Sequence, residues 1–192
     1  MTTNAPSLPE KVVSLARALE QADLPFAFGG ALALAYYAEP RATIDIDVNV
    51  FVPPQAFERV VNALTPLGLS ATEADRRSAL RDDQVRLRWG YTPIDLFFAY
   101  DDFHYHAAKR IRLVPFGDDT IPVLAPEDLL VCKVIFNRRK DWIDIEQVLL
   151  LTAGTLDVHD VRRWLVAIAG AADPRLAQFE AAVREVLGDQ SA

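Results

Sequence analysis

FAFGGALALAYYAEPRATIDIDVNVFV, residues 26–52, is the stretch that decides the fold. A short apolar run ends in a glycine pair, an alanine- and leucine-rich segment follows, and two aspartates then stand one residue apart inside a second apolar run. PFAFGG reads as a strand entering a turn, ALALAYYA as the helix after it, and ATIDIDVNVFV as a β-branched strand closed by Pro53 and Pro54. Side chains at i and i+2 of a strand share a face, so Asp45 and Asp47 lie side by side while Ile44, Ile46 and Val48 take the other face. The polar face then reads Arg41, Thr43, Asp45, Asp47. Adjacent carboxylates repel unless a cation joins them, and an oxygen-only donor set favours Mg²⁺ or Mn²⁺ over zinc.

Working outward, SLPEKVVSLARALEQADL has helical apolar spacing with Ser7 as cap and Pro9 in the first turn, and QAFERVVNALTPLG is a second amphipathic helix. From about residue 67 to 123 the chain breaks into QVRLRWG, TPIDLFFAY, KRIRLVPF and TIPVL, which read as strands of one sheet. After Pro126 every segment has a helical period. These patterns predict a sheet-containing domain over residues 1–125 and a helical bundle region over 126–192 packed on it.

Asp95, in PIDLFF, is a third lone carboxylate in an apolar strand. If its strand neighbours that of Asp45 and Asp47, three carboxylates converge, as a two-metal phosphoryl-transfer site requires. A D-x-D alone is a weak signal, and a Gly-Gly alone is usually an ordinary turn. The order strand, Gly-Gly, helix, strand with D-x-D, later strand with one Asp is much more specific. Gly29 and Gly30 would then let phosphate oxygens approach backbone N–H groups at a helix start, forming a triphosphate seat.

Composition excludes several alternatives. The 192 residues are 51% hydrophobic and 24% charged, as in a folded globular protein. No apolar run approaches the roughly 20 residues of a membrane span, and MTTNAPSLPEKVV lacks the basic-then-apolar order of a secretion signal, so a cytoplasmic location is expected. A single cysteine, Cys132, forms no internal disulfide. The net charge of −7 argues against a chain that coats nucleic acid through overall basicity. Basic residues do gather locally in RRSALRDDQVRLR (76–88), KRIR (109–112) and NRRK (137–140). His104 and His106 form an H-x-H that we place in a surface loop rather than at zinc.

The ordered motifs FGG (28–30), DID (45–47) and IDL (94–96) resemble those of the nucleotidyltransferase superfamily that includes polymerase β and the minimal nucleotidyltransferases. Within it, PRATIDIDV and LLVCKVIFNRRKDWIDIEQVL are most similar to the AbiEii-type and MenT-type toxins of bacterial toxin-antitoxin systems. The resemblance implies an α+β fold, a mixed sheet with flanking helices followed by a C-terminal helical region. It also implies transfer of NMP from an NTP to an acceptor hydroxyl, with the tRNA 3′ end as acceptor and a cognate antitoxin as partner. Asp45 and Asp47 would hold Mg²⁺ or Mn²⁺, Asp95 would complete the site and help deprotonate the acceptor, and Lys133 would contact nucleotide phosphates. Gly29, Gly30, Arg41 and Thr43 would line the nucleotide site. The acid that follows the lysine is Asp141 or Asp144. On an unbroken helix Asp144 lies on the same side as Lys133 and Asp141 about 80° round, which favours Asp144 and leaves Asp141 open. Thr43 stands where some family toxins are phosphorylated by a kinase-like antitoxin. Two other readings remain: transfer to a small, aminoglycoside-like molecule, and nucleotide binding without turnover.

Overall fold

The computed structural model describes residues 5–188; residues 1–4, part of the N-terminal stretch considered above, and 189–192 lie outside it. The first helix, α1 (Leu8–Gln21), starts at a reciprocal cap in which Ser7 and Glu10 satisfy each other's backbone N–H. Strand β1 (Phe26–Phe28) leads into the short helix α2 (Gly30–Leu34), and strand β2 (Ile46–Val50) carries the D-x-D motif into the sheet. Helices α3 (Phe57–Leu64) and α4 (Glu73–Asp82) precede the hairpin of β3 (Gln84–Trp89) and β4 (Thr92–Phe98). Helix α5 (Asp102–Ala107) and the hairpin of β5 (Arg112–Phe116) and β6 (Asp119–Val123) follow. The chain ends in α6 (Pro126–Phe136), α7 (Arg139–Thr152), α8 (Val158–Ala169) and α9 (Pro174–Leu187).

By its internal contacts the chain divides into two compact units. The first holds the residues up to Leu32 together with Ala42–Val123; the second holds Ala33–Arg41 and the chain from Leu124. One dividing point falls inside α2, another after Arg41, and the last, after Val123, lies where strands give way to helices.

In the first unit a six-stranded mixed sheet has the order β3-β4-β2-β1-β6-β5. β2 runs parallel to β4 and β1 parallel to β6, while the other pairs are antiparallel. One face of β2 and β4 is apolar throughout: Ile46, Val48, Val50, Ile94, Leu96 and Phe98 are fully buried. Phe57 of α3 packs its ring against Phe98, so α3 covers this apolar face. Leu15 and Leu19 of α1 and Val60 and Leu64 of α3 complete the core. Burying each such side chain contributes about 1.5–3 kcal/mol. The α+β architecture, a mixed sheet flanked by helices, is the one the sequence predicts.

Three local expectations change. Ile44 is 71% exposed, and β2 begins only at Ile46. The Thr43 hydroxyl accepts from Asp45 N and donates to Asp45 O (3.2 and 3.3 Å), a local pairing that competes with strand extension. Arg41 accordingly leaves the strand face and belongs to the second unit. The 67–123 region is also not all strand. Thr72 and Asp75 cap α4 reciprocally, and Asp101 caps α5 by accepting from His104 N, so the two histidines sit on a helix rather than in a loop. Third, the helix expected through residues 129–149 is broken at Asn137, whose left-handed φ of +55° ends α6.

The second unit is a bundle of α6–α9 around Leu130, Val134, Ile145, Val148, Leu149, Val161, Leu165 and Phe179. Tyr37 donates to Leu124 O at 2.8 Å, joining residues 33–41 to this unit, and Arg162 binds both oxygens of Glu180 between α8 and α9.

Candidate active site

The β2–β4 register sets Asp47 directly opposite Asp95 on neighbouring parallel strands, about 4.8 Å apart at the backbone. Both point to the face opposite the buried Ile46, Ile94 and Leu96. Asp45 precedes the strand by one residue, and its carboxylate turns to the same place. Arg86 reports this convergence. From β3 its Nε and Nη2 donate to the two oxygens of Asp95, each at 2.6 Å, and Nη2 lies 3.7 Å from Asp45 Oδ2. The Asp95 hydrogen bonds, followed by the charges of Asp95, Asp45 and Asp47, hold the guanidinium pKa above its ordinary value. The sequence reading did not single out Arg86. The alternation in QVRLR puts it opposite Val85 and Leu87 on its strand, but only the β3–β4 register places it across from Asp95.

Gly30 shapes the cluster. Its φ is +53°, and a Cβ built there would lie 1.7 Å from Asp47 Oδ2. The space a side chain would occupy is filled by the carboxylate itself. Gly29 N donates to Asp47 O at 2.9 Å, continuing the β1–β2 ladder, so the expected triphosphate seat has no Gly29 N–H to offer. The Gly29 N–H is thus engaged in the sheet, and the missing Cβ of Gly30 leaves room for the Asp47 carboxylate.

Three carboxylates against one guanidinium leave an excess of negative charge, and Asp45, with a third of its side chain exposed, gives it an opening. The donor atoms are all oxygens and the glycine cradle fixes one of them, a set that fits Mg²⁺ or Mn²⁺.

The other expected residues come together in the second unit. Lys133 Nζ donates to Asp144 Oδ2 at 2.6 Å and lies 3.8 Å from Asp141 Oδ1; all three side chains are buried. Arg41 donates from Nε and Nη2 to the two oxygens of Asp144, at 3.2 and 3.1 Å. Asp141 takes Arg138, both through the side chain and through the backbone N–H at the start of α7. Burial pushes the Asp141 pKa up, but the Arg138 hydrogen bonds and the charges of Arg138 and Lys133 outweigh it, and the net shift is downward. The Lys133–Asp144 contact does not arise from helical phase. On one unbroken helix the two residues would be roughly 16 Å apart along the axis. The turn at Asn137 folds α7 back on α6 and brings them together.

Several arginines of the basic segments are paired with nearby acids. Arg76 pairs with Glu58 and Glu73, Arg81 with Asp82, Arg86 with Asp95, and Arg138 with Asp141. No helix among the described residues is long and apolar enough to cross a membrane.

Comparison with known proteins agrees with this reading of the fold. The solution structure of the antibiotic-resistance factor ANT(2″)-Ia superposes with a TM-score of 0.58 at 16% identity, over 88% of this chain and 93% of that one. The crystal structure of ANT(2″)-Ia with adenylyl-2″-tobramycin gives 0.59 at 14% identity, over 90% and 97%. The lincosamide antibiotic adenylyltransferase LnuA, lincomycin-bound, gives 0.51 at 13% identity, over 78% and 100%. At these identities the likeness is one of fold. No curated protein sequence matches the chain. The family described as nucleotidyl transferase AbiEii toxin, type IV TA system, matches residues 14–189, nearly the whole length. The chain belongs to the AbiEii nucleotidyl transferase toxin family.

Proposed function

We propose that this protein transfers NMP from an NTP to the hydroxyl at a tRNA 3′ end, using a divalent ion held by Asp45, Asp47 and Asp95. The supporting observation is the in-register Asp47 and Asp95 with Asp45 beside them, Asp95 and Asp45 both reached by one guanidinium. A bound Mg²⁺ or Mn²⁺ would supply charge neutralisation at the α-phosphate and make the acceptor hydroxyl more acidic. Asp95 takes the proton as the acceptor oxygen bonds to the α-phosphorus. The bond from that phosphorus to the bridging oxygen breaks, and pyrophosphate leaves with the electron pair. In the second unit Lys133 and Arg41 are cations held by Asp144. Asp144 orients both of them, and Asp141 fixes the start of α7.

A small-molecule acceptor is the second reading. It is favoured by the internal pairing of Arg76, Arg81 and Arg138, which leaves the basic segments with less charge to offer a phosphate backbone. Thr43, bonded to the backbone of Asp45, would bring a phosphate's charge next to the three carboxylates if a partner antitoxin modified it. Mass analysis after co-expression with the neighbouring gene product tests that, an unmodified Thr43 in an inactive complex counting against it.

The activity is tested by incubating the protein with each labelled NTP, Mg²⁺ and either total tRNA or candidate aminoglycosides, beside an Asp45→Ala control. Label on tRNA that the control lacks supports the first reading, and label on the small molecule the second. Label on neither leaves nucleotide binding without turnover.

A further inference from the structure

The proposed chemistry assigns no role to Arg86, yet Arg86 makes the closest contacts in the carboxylate cluster. Its fork takes both oxygens of Asp95 at 2.6 Å and reaches to 3.7 Å from Asp45. A carboxylate has about four lone-pair positions, and a bidentate guanidinium uses the two that lie between the oxygens and the fork. A divalent ion on the same oxygens would compete for those electrons and would stand within a few ångströms of a positive charge. Contact of Asp95 with Arg86 and contact of Asp95 with an ion therefore oppose each other.

The fold lets Arg86 yield. β3 is an edge strand of the sheet, and the Arg86 side chain is 54% exposed, so it can swing away without disturbing the core residues Val85 and Leu87 beside it. Asp95, 14% exposed and anchored between the buried Ile94 and Leu96, stays in place. One partner is mobile and the other fixed.

We propose that Arg86 is a resident counter-cation that holds Asp95 in the metal-free protein and is displaced from it when a divalent ion enters the carboxylate cluster. The inference rests on the assignment of Asp45, Asp47 and Asp95 as the metal-binding set. Arg86 is thus a positioning residue: it keeps the three carboxylates together against their mutual repulsion and, on leaving, frees both oxygens of Asp95.

The test is Mn²⁺ binding followed by electron paramagnetic resonance and calorimetry, without nucleotide or turnover. Arg86→Gln should bind Mn²⁺ roughly three- to tenfold more tightly than wild type, whereas Arg86→Lys, which keeps the charge, should stay near wild type. An affinity of Arg86→Gln that is unchanged or weaker overturns the proposal. Asp45→Asn separates the two levels of argument. If Asp45→Asn abolishes Mn²⁺ binding while Arg86→Gln has no effect, the site assignment survives and the displacement idea fails. If Asp45→Asn binds Mn²⁺ as wild type does, both fail. A measurement on the unaltered protein covers the case in which Arg86→Gln folds poorly. The ¹⁵Nε resonance of Arg86 should shift, and its proton exchange with water accelerate, as Mg²⁺ is added; a resonance that stays put while Mg²⁺ demonstrably binds overturns the proposal.

Discussion

The two charged clusters of this chain are built on opposite balances. In the first unit, three carboxylates at two adjoining strands have one guanidinium nearby, which contacts Asp95 and Asp45, and the cluster is partly open through Asp45. In the second unit, Asp141 and Asp144 face Lys133, Arg41 and Arg138, so cations outnumber carboxylates, and Lys133, Asp141 and Asp144 are buried. The first arrangement stores repulsion that an added cation relieves. The second is self-satisfied for its carboxylates and has positive charge to spare, which suits an anion. Removing a charge should therefore have opposite consequences in the two places: lost function with little loss of stability in the first, lost stability in the second.

The largest effect expected is on turnover. Asp47→Asn should lower nucleotidyl transfer by about three orders of magnitude while leaving the melting temperature unchanged or raised, because one of three like charges is gone. Parallel activity and thermal-melt measurements check this, and a large fall in melting temperature would break the contrast between the clusters. Lys133→Met should do the reverse in stability, costing about 3–5 kcal/mol because Asp144 and Asp141 lose a buried partner; urea unfolding reads it. A loss as small as that of a surface pair would show that Arg41 and Arg138 suffice.

Gly30→Ala tests the cradle. The added Cβ would overlap Asp47 Oδ2 and must be held at positive φ, so turnover should fall about 100-fold through displacement of the carboxylate, with about 1–2 kcal/mol of strain. Wild-type activity in this variant would mean that Asp47 does not need its present position.

The acid dependence of the second cluster sharpens the comparison further. Asp141 has a folded pKa below its unfolded value, so its contribution to stability is complete above about pH 4 and is lost as the pH falls through the folded value. Urea midpoints at pH 7 and pH 3 should therefore fall less for Asp141→Asn than for wild type. The smallest effect belongs outside both clusters: Arg81→Ala, which removes an exposed pair with Asp82, should leave the melting temperature unchanged within error.

Much of this is legible in the sequence. The alternation around Asp47 and Asp95 gave each carboxylate its face, because strand period is a local property, and the cap of α1 and the apolar spacing of α1 and α3 marked those helices. Other features depended on contacts distant in sequence. Arg86 looks like one of several arginines in a basic run until β3 pairs with β4. α4, rich in charge and poor in apolar period, depends on its cap at Thr72. Helical phase would pair Lys133 with Asp144 only along one unbroken helix, and that helix ends at Asn137.

The sequence by itself determined the order of the motifs, a glycine pair, two aspartates one residue apart and a third isolated in an apolar strand, since carboxylates brought close together repel unless a cation joins them. The tertiary structure alone decided which charges meet. Strand register brings Arg86 to Asp95, a left-handed residue folds α7 onto α6, and the gap left by a missing Cβ is filled by Asp47. Each of these is set by how elements far apart in the chain pack, and side-chain electrostatics are strong only over the few ångströms that packing controls.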